Sequence, residues 1–252
     1  SGEMNSSLFR NADPAVLKKL MPDGKAPASV NVFLVKAGKK NILVDAGNGN
    51  GGARKGNLLA LLKKAEIAPA DIDILLLTHA HLDHAGGLLY NGKPVFSRAR
   101  VMLSGAESEM ISEARLAAMP ADVRGYFAPA RAALDAYKGR VDFIKPGDRI
   151  AEGVTAVDLS GHTAGHMGFL VESGGRKLLL AGDILHVAAV QFARPEYCLV
   201  YDSDPERAAA MRKKILKRAS DERIIIAGTH IPFPGMVQVK EDKQGFIYTP
   251  AR

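Results

Sequence analysis

The sequence of 252 residues contains a single cysteine, Cys198. One cysteine can form neither a disulfide within the chain nor a Cys-x-x-Cys metal site. Any metal ion bound by this chain therefore has to be held by histidine, aspartate or glutamate.

Long apolar segments are also missing. The uninterrupted apolar runs, residues 74–77 and 178–181 among them, are far shorter than the ~18 to 20 residues that a membrane span requires. The sequence therefore predicts a protein that is not integral to a membrane. Its opening residues lack the basic-then-apolar pattern of a secretory signal. The sequence does not decide between a cytoplasmic protein and an exported protein whose signal peptide has been removed.

Repeats, low-complexity stretches and Pro/Gly/Ser-rich linkers are missing too, so we expect one domain over residues 1–252. Short runs rich in Val, Ile and Leu alternate with segments of helical periodicity. Tight turns at residues 37–39 and 173–176 predict hairpins, and hairpins with interspersed helices favour mixed sheets. Residues 104–140 are predicted to be a helical insertion, which either packs on a sheet or covers a substrate.

The net charge is +7, and its densest basic cluster lies late in the chain. The cluster comprises Arg207, Arg212, Lys213, Lys214, Lys217 and Arg218. The apolar residues between them recur at helical spacing, which predicts an amphipathic helix with a basic face turned to solvent. Because no aromatic residues are interleaved and no nucleic-acid-binding motif is present, a nucleic-acid-directed protein is the least favoured function.

Residues 78–84 read T-H-A-H-L-D-H and directly follow an apolar run. In an extended chain, alternate side chains point to the same side, so His79 and His81 can reach one ion. Asp83 and His84 lie where the chain should turn into a helix, and they can face a second ion. Imidazole and carboxylate ligands suit zinc and its neighbours. With ligands in surplus and no cysteine among them, the motif favours a catalytic pair of metals over a structural zinc site.

Three later segments share one arrangement: an apolar run, a small residue and then a ligand-type side chain. The ligand-type residues are His162, Asp183 and His230. Glycine before each lets the backbone approach closely. We therefore expect these three side chains to converge at one edge of the sheets.

The order H-x-H-x-D-H at 79–84, G-H-T at 161–163, G-D at 182–183 and a late histidine resembles the metallo-β-lactamase superfamily of metallohydrolases. L-V-D-A-G at 43–47 resembles the early strand-and-aspartate motif of that family. The resemblance implies an α/β (α+β) fold, a four-layer αββα sandwich. It also implies two divalent metal ions per chain, with zinc expected and manganese, cobalt or iron open.

The resemblance also implies which residues bind the two ions. One ion takes His79, His81 and His162. The other takes Asp83, His84 and His230. Asp183 bridges the two ions. Asp183 argues against antibiotic hydrolysis, because the true β-lactamases of the superfamily lack this aspartate.

The run 182–192 and the segment P-F-P-G at 232–235 resemble most the methyl parathion hydrolase and lactonase-like branch. By that resemblance, a hydroxide bridging two metals cleaves a small neutral ester or lactone. A phosphotriesterase, or organophosphate hydrolase, with the same metal site is the alternative. Acyl-homoserine lactone lactonases typically carry a tyrosine where His186 stands.

Further residues are assigned roles around this site. Asp83 is expected to pass a proton to the leaving group, and His186 either to line the pocket or to assist the leaving group. His166 is expected to be a hydrogen-bonding residue behind the ligands. Candidates for an apolar substrate pocket, with core packing as the alternative, are Phe127, Phe192 and Phe233. The expected partner is a small-molecule substrate, with neither nucleic acid nor membrane, and a homodimer is the default oligomer.

Overall fold

The computed structural model describes residues 2–50 and 56–251. The chain divides into two compact units, each with an apolar core of its own. We name Val32–Ala156 the central unit, and we name the residues up to Asn31 together with those from Val157 onward the terminal unit. The single domain over residues 1–252 stays a prediction, and residues 1, 51–55 and 252 of that range lie outside the described part.

The terminal unit begins with β1 (Gly2–Asn5), α1 (Pro14–Leu20) and β2 (Lys25–Ala28). β1 and β2 pair in antiparallel orientation. The helix starts where it does because the Asp13 carboxylate accepts hydrogen bonds from two first-turn amides and Pro14 occupies the first helical position.

The central unit follows in the chain with strands and helices in alternation. These are β3 (Phe33–Ala37), β4 (Lys40–Val44), α2 (Leu58–Lys64), β5 (Ile74–Leu76), α3 (Leu82–Ala85), β6 (Leu89–Tyr90), β7 (Lys93–Pro94), β8 (Arg100–Ser104), α4 (Gly105–Met110), α5 (Glu113–Ala118), α6 (Ala121–Ala136), β9 (Val141–Ile144), β10 (Arg149–Ala151) and β11 (Val154–Asp158). The last of these strands crosses the division between the units.

The central unit is organised around a sheet of order β3-β4-β5-β8-β9. β3 and β4 are antiparallel, and the other neighbouring pairs are parallel. Its core is built from buried aliphatic residues such as Leu43, Leu75 and Val101. Parallel pairing brings the carboxyl ends of β4, β5 and β8 to one edge, where functional residues of open α/β sheets collect.

The terminal unit resumes after β11 with two helices and five strands. These are β12 (Met167–Ser173), β13 (Arg176–Leu180), α7 (Ala188–Gln191), α8 (Pro205–Glu222), β14 (Ile225–Ala227), β15 (Met236–Asp242) and β16 (Gly245–Pro250). Strands β12 to β16 are hydrogen-bonded neighbours in chain order. Only the β13–β14 pair among these four is parallel, so the carboxyl ends of these two strands lie side by side.

Helix α8 carries the basic cluster, and most of its charges are not free. Arg212 is only 1% exposed, which corrects the prediction that it faces solvent. Lys217 pairs with Asp221 and Glu241, and Arg218 pairs with Glu222. These ion pairs reduce the net positive charge that the helix presents at its surface. No helix in the described residues, α8 included, is long and apolar enough to cross a membrane.

Candidate metal centre

The ligand-type residues of the central unit lie at the carboxyl end of β5. We call His79, His81, Asp83 and His84 the central ligand set. His79 follows the strand, and His81, whose backbone is extended, precedes α3. The Nε2 atom of His79 lies 2.8 Å from Nδ1 of His81, and Nε2 of His84 lies 3.7 Å from Oδ2 of Asp83. The short motif thus places its ligand atoms close together without distant residues.

Asp45, directly after β4, orients the end of this set. Its buried carboxylate accepts hydrogen bonds from the Thr78 backbone N–H at 2.8 Å and from the Thr78 hydroxyl at 2.9 Å. It also accepts from Nδ1 of His84 at 2.7 Å. Because an ionised carboxylate only accepts, Nδ1 of His84 carries the proton and Nε2 presents its lone pair on the side of Asp83.

Glu107 is a fully buried carboxylate that sequence analysis did not identify. It lies in the first turn of α4, where Ser104 caps the helix. Its Oε2 accepts the backbone N–H of Ala80 at 2.9 Å. Ala80 separates His79 from His81, so Glu107 fixes the backbone between two candidate ligands. The only signal in the sequence was an acidic residue just after a strand, which is too common to be specific.

Phe127, a buried residue of α6, lies beside the central ligand set. Its ring centroid is 4.8 Å from that of His81. An apolar wall therefore adjoins one candidate ligand in this unit, which is a feature of small-molecule sites.

In the terminal unit, three imidazoles surround one carboxylate. We call His162, Asp183, His186 and His230 the terminal ligand set. Oδ2 of Asp183 lies 3.1 Å from Nε2 of His230, 3.2 Å from that of His186 and 3.5 Å from that of His162. Asp183 follows β13 and His230 follows β14, so the parallel pairing of these strands explains their proximity.

The outer contacts of two of these histidines fix which nitrogen faces Asp183. Nδ1 of His230 lies 2.8 Å from the carbonyl oxygen of Ser29, and Nδ1 of His162 lies 3.0 Å from Oδ1 of Asp202. Both outer groups only accept, so Nδ1 carries the proton and the Nε2 lone pair faces a carboxylate oxygen. Electron-rich atoms this close require a cation between them, either an added proton or a metal ion. The donor set therefore fits a divalent metal, in the outer-acceptor arrangement typical of metal-binding histidine.

His166 is held differently. Its Nδ1 lies 3.0 Å from the carbonyl oxygen of Leu159, and its Nε2 accepts the backbone N–H of Asp183 at 3.2 Å. Both ring nitrogens thus contact the protein backbone. His166 fixes the main chain at Asp183 and is placed behind the carboxylate rather than at it.

His186 is buried between other imidazoles. Its ring stacks on that of His230 at 5.1 Å and lies 4.7 Å from that of His162. Burial lowers the pKa of His186 below its ordinary value, although Asp183 acts in the opposite direction. Among the described residues its Nδ1 has no hydrogen-bond partner, so His186 lacks the outer acceptor that fixes His162 and His230.

Asp202 is a second buried carboxylate that sequence analysis did not identify. Besides contacting His162, it accepts the backbone N–H of Leu199 at 3.2 Å. Burial alone would raise its pKa, but the hydrogen bond from His162 and the charges of His186 and Arg212 hold the pKa well below its usual range. An ionised Asp202 keeps His162 in the tautomer described above.

The other two phenylalanines lie elsewhere in the terminal unit. Phe192 is in the core and stacks on Tyr248 at a centroid distance of 4.4 Å, so the alternative of core packing describes its position. Phe233 is 83% exposed, and its backbone N–H donates to the hydroxyl of Ser29.

Comparison with known proteins defines the class. A family model of the metallo-β-lactamase superfamily matches residues 26–230. The chain belongs to this superfamily and has its fold, as the motifs predicted, and it is a hydrolase of that superfamily. Membership brings with it a dinuclear metal site, for which the histidine and aspartate clusters are the candidates.

Particular relatives refine this class. The structure of a hydrolase of the β-lactamase superfamily, AbOPH, is 30% identical, with a TM-score of 0.89 over 100% of this chain and 92% of that chain. AidC, a dizinc quorum-quenching lactonase, is 28% identical, with a TM-score of 0.90 over 100% of this chain and 92% of that chain. Metallo-beta-lactamase domain-containing protein 1 of Xenopus laevis is 28% identical over 209 residues, 82% of this chain and 72% of that protein.

Proposed function

We propose that this protein is a dinuclear metal-dependent hydrolase of small neutral esters or lactones. One observation supports it most: in both ligand sets, histidines are held at Nδ1 by buried acceptors, so that Nε2 is the ring nitrogen that carries the lone pair a metal needs. The family match extends over residues 26–230 and so includes both sets. The likeness to a dizinc lactonase favours zinc and a lactone or ester substrate.

In this proposal His79, His81 and His162 would hold one ion. Asp83, His84 and His230 would hold the other. Asp183 would be a ligand of both. Two such ions, when bound, supply an activated water and stabilise negative charge on the substrate.

The chain's own residues complete the reaction. The side chain of Asp83 is 28% exposed, which supports the proposal that Asp83 passes a proton to the leaving group. His186 steadies the carboxylate of Asp183 by donating from Nε2 at 3.2 Å. Phe127 gives the substrate an apolar contact beside His81.

A phosphotriester is the second candidate substrate. The run 182–192 resembles methyl parathion hydrolase and includes His186 where lactonases typically have tyrosine. The same activated water can attack a phosphoryl or a carbonyl centre, so ligand chemistry does not separate the two substrates.

The test combines elemental metal analysis with a panel of aryl esters, acyl-homoserine lactones, a phosphotriester and a β-lactam. We expect two metal ions per chain, turnover of an ester or lactone and no turnover of the β-lactam. Asp183→Ala should lose metal and reduce turnover by more than about 100-fold, while Asp221→Ala, a surface aspartate paired with Lys217, should behave as wild type. Full metal content with retained turnover in Asp183→Ala would contradict the proposal.

A further inference from the structure

Helix α8 contributes a fully buried arginine to the terminal unit. The guanidinium of Arg212 donates from Nε to the carbonyl oxygen of Ile184 at 2.6 Å. It donates from Nη1 to the carbonyl oxygens of Pro195 and Tyr197 at 2.7 and 2.9 Å. One side chain thus holds the backbone of the two loops that precede and follow α7.

Both loops lead to candidate metal ligands. Ile184 directly follows Asp183. The second loop continues to Asp202, whose Oδ2 lies 3.5 Å from Nη2 of Arg212 and whose Oδ1 contacts His162. Arg212 therefore connects the segment that carries Asp183 with the side chain that orients His162.

A role in packing alone does not explain this choice of residue. Burying a charged group is costly, and an apolar side chain of similar volume often stabilises a core at least as well. What an apolar side chain cannot supply is a planar group of donors at fixed angles, which also distinguishes arginine from lysine. Three of these donors go to the backbone beside ligands or to the loop that carries Asp202.

The approach of α8 to the His162 segment is close as well. A Cβ atom on Gly161 would lie 2.5 Å from the backbone nitrogen of Ala208, in the first turns of α8. The amides of Ser203 and Asp204 donate to the carbonyl oxygens of His162 and Gly161. The helix is therefore in a position to transmit a displacement to His162.

We propose that Arg212 is a positioning residue that sets the placement of Asp183 relative to His162, through the carbonyl of Ile184 and through Asp202. The inference rests on the proposed function, since it concerns metal ligands. Loss of the guanidinium should weaken metal binding by about 10- to 100-fold, the range found when residues supporting metal ligands are removed.

The test uses Arg212→Lys, which keeps the charge but loses the fork of donors. Arg218→Lys is the matched control, because Arg218 lies on the same helix and pairs with Glu222 at the surface. Zinc affinity is measured by competition with a chelator, and the visible spectrum of the cobalt-substituted protein reports ligand geometry. We expect about 10- to 100-fold weaker zinc binding and a changed spectrum for Arg212→Lys, with the control unchanged. Wild-type affinity and spectrum in a folded Arg212→Lys would overturn the inference.

Asp202→Asn keeps the result decisive if Arg212→Lys does not fold. Asparagine has nearly the same volume, and its amide oxygen can still accept a hydrogen bond from His162. Its NH2 group, however, then faces two donors, the guanidinium of Arg212 and the backbone N–H of Leu199. Weaker zinc binding in this variant supports the inference, and unchanged binding overturns it.

The outcomes separate this inference from the proposed function. Wild-type protein that binds two ions but hydrolyses no substrate of the panel contradicts the hydrolase proposal and leaves the role of Arg212 standing. Normal zinc affinity in Arg212→Lys contradicts only the role of Arg212. Wild-type protein that binds no metal contradicts both.

Discussion

The two ligand sets are built in different ways. The central set lies within residues 79–84, and its geometry follows from an extended segment that turns into α3. The terminal set comes from three segments between His162 and His230, each on a different loop. A local set needs few supports, here Asp45 and Glu107, whereas in the dispersed set His162, Asp183 and His230 each have a support of their own.

The supports of the terminal set come from remote parts of its unit. The carbonyl of Ser29 holds His230, Asp202 holds His162, and His166 holds the backbone of Asp183. Substitutions far from the ligands in sequence should therefore affect the terminal set more than the central one.

Gly161→Ala should damage the terminal set most. The residue has φ of 140°, and its Cβ would lie 2.5 Å from backbone atoms of α8. We expect the free energy of unfolding to fall by about 3 kcal/mol, with zinc affinity more than tenfold weaker. Gly105→Ala, where a Cβ meets nothing within 4 Å, is the control in denaturant titrations. Wild-type stability in Gly161→Ala would remove the argument that α8 restrains this loop.

Asp45→Asn should weaken the central set alone. Asparagine places an N–H group against Thr78 or His84, both of which donate to Asp45 now. The expected loss is about 2 kcal/mol of stability, with one ion per chain lost before the other in a chelator titration. Simultaneous loss of both ions would show that the effect of Asp45 is not confined to the ion assigned to His84.

Glu107→Ala should have a smaller effect, because it removes the hydrogen bond to the Ala80 backbone N–H and leaves every candidate ligand in place. Leaving the Ala80 N–H unsatisfied costs about 1 to 2 kcal/mol. Glu107→Gln keeps an acceptor and should recover most of the loss. Thermal unfolding without metal distinguishes the variants, and equal melting of Ala and Gln variants would argue against this contact.

Glu222→Gln should have the smallest effect and leave both sets intact. Hydrogen bonds from Arg218 and Lys177 lower the pKa of Glu222 from 4.5 to about 2. Because the folded pKa is depressed, its stabilisation is present above pH 4.5 and is lost as the pH falls to about 2. Exposed pairs are screened by solvent, so we expect less than about 1 kcal/mol near neutral pH. Unfolding curves at pH 7 and pH 2.5 provide the comparison, and any change in zinc affinity would be unexpected.

Much of the secondary structure follows from local signals. The helix over the basic cluster is present as α8, and Asp204 with Pro205 begins it as their types suggest. The orientation of that helix does not follow from the pattern. Arg212 belongs to a basic cluster whose pattern predicts exposure to solvent. Its burial is explained by the backbone carbonyl groups of two loops, which accept hydrogen bonds from its guanidinium.

The sequence by itself determined the superfamily, the mixed α/β class and the chemical type of the candidate ligands, because these depend on residue identity and short-range spacing. The tertiary structure decided which nitrogen of His84, His162 and His230 carries the proton, since the acceptors Asp45, Asp202 and Ser29 come from other segments. It also placed Phe192 in a core, Glu107 under the His79–His81 loop and Arg212 between two loops. Burial and hydrogen-bond partners are set by residues distant along the chain, and periodicity carries no information about them.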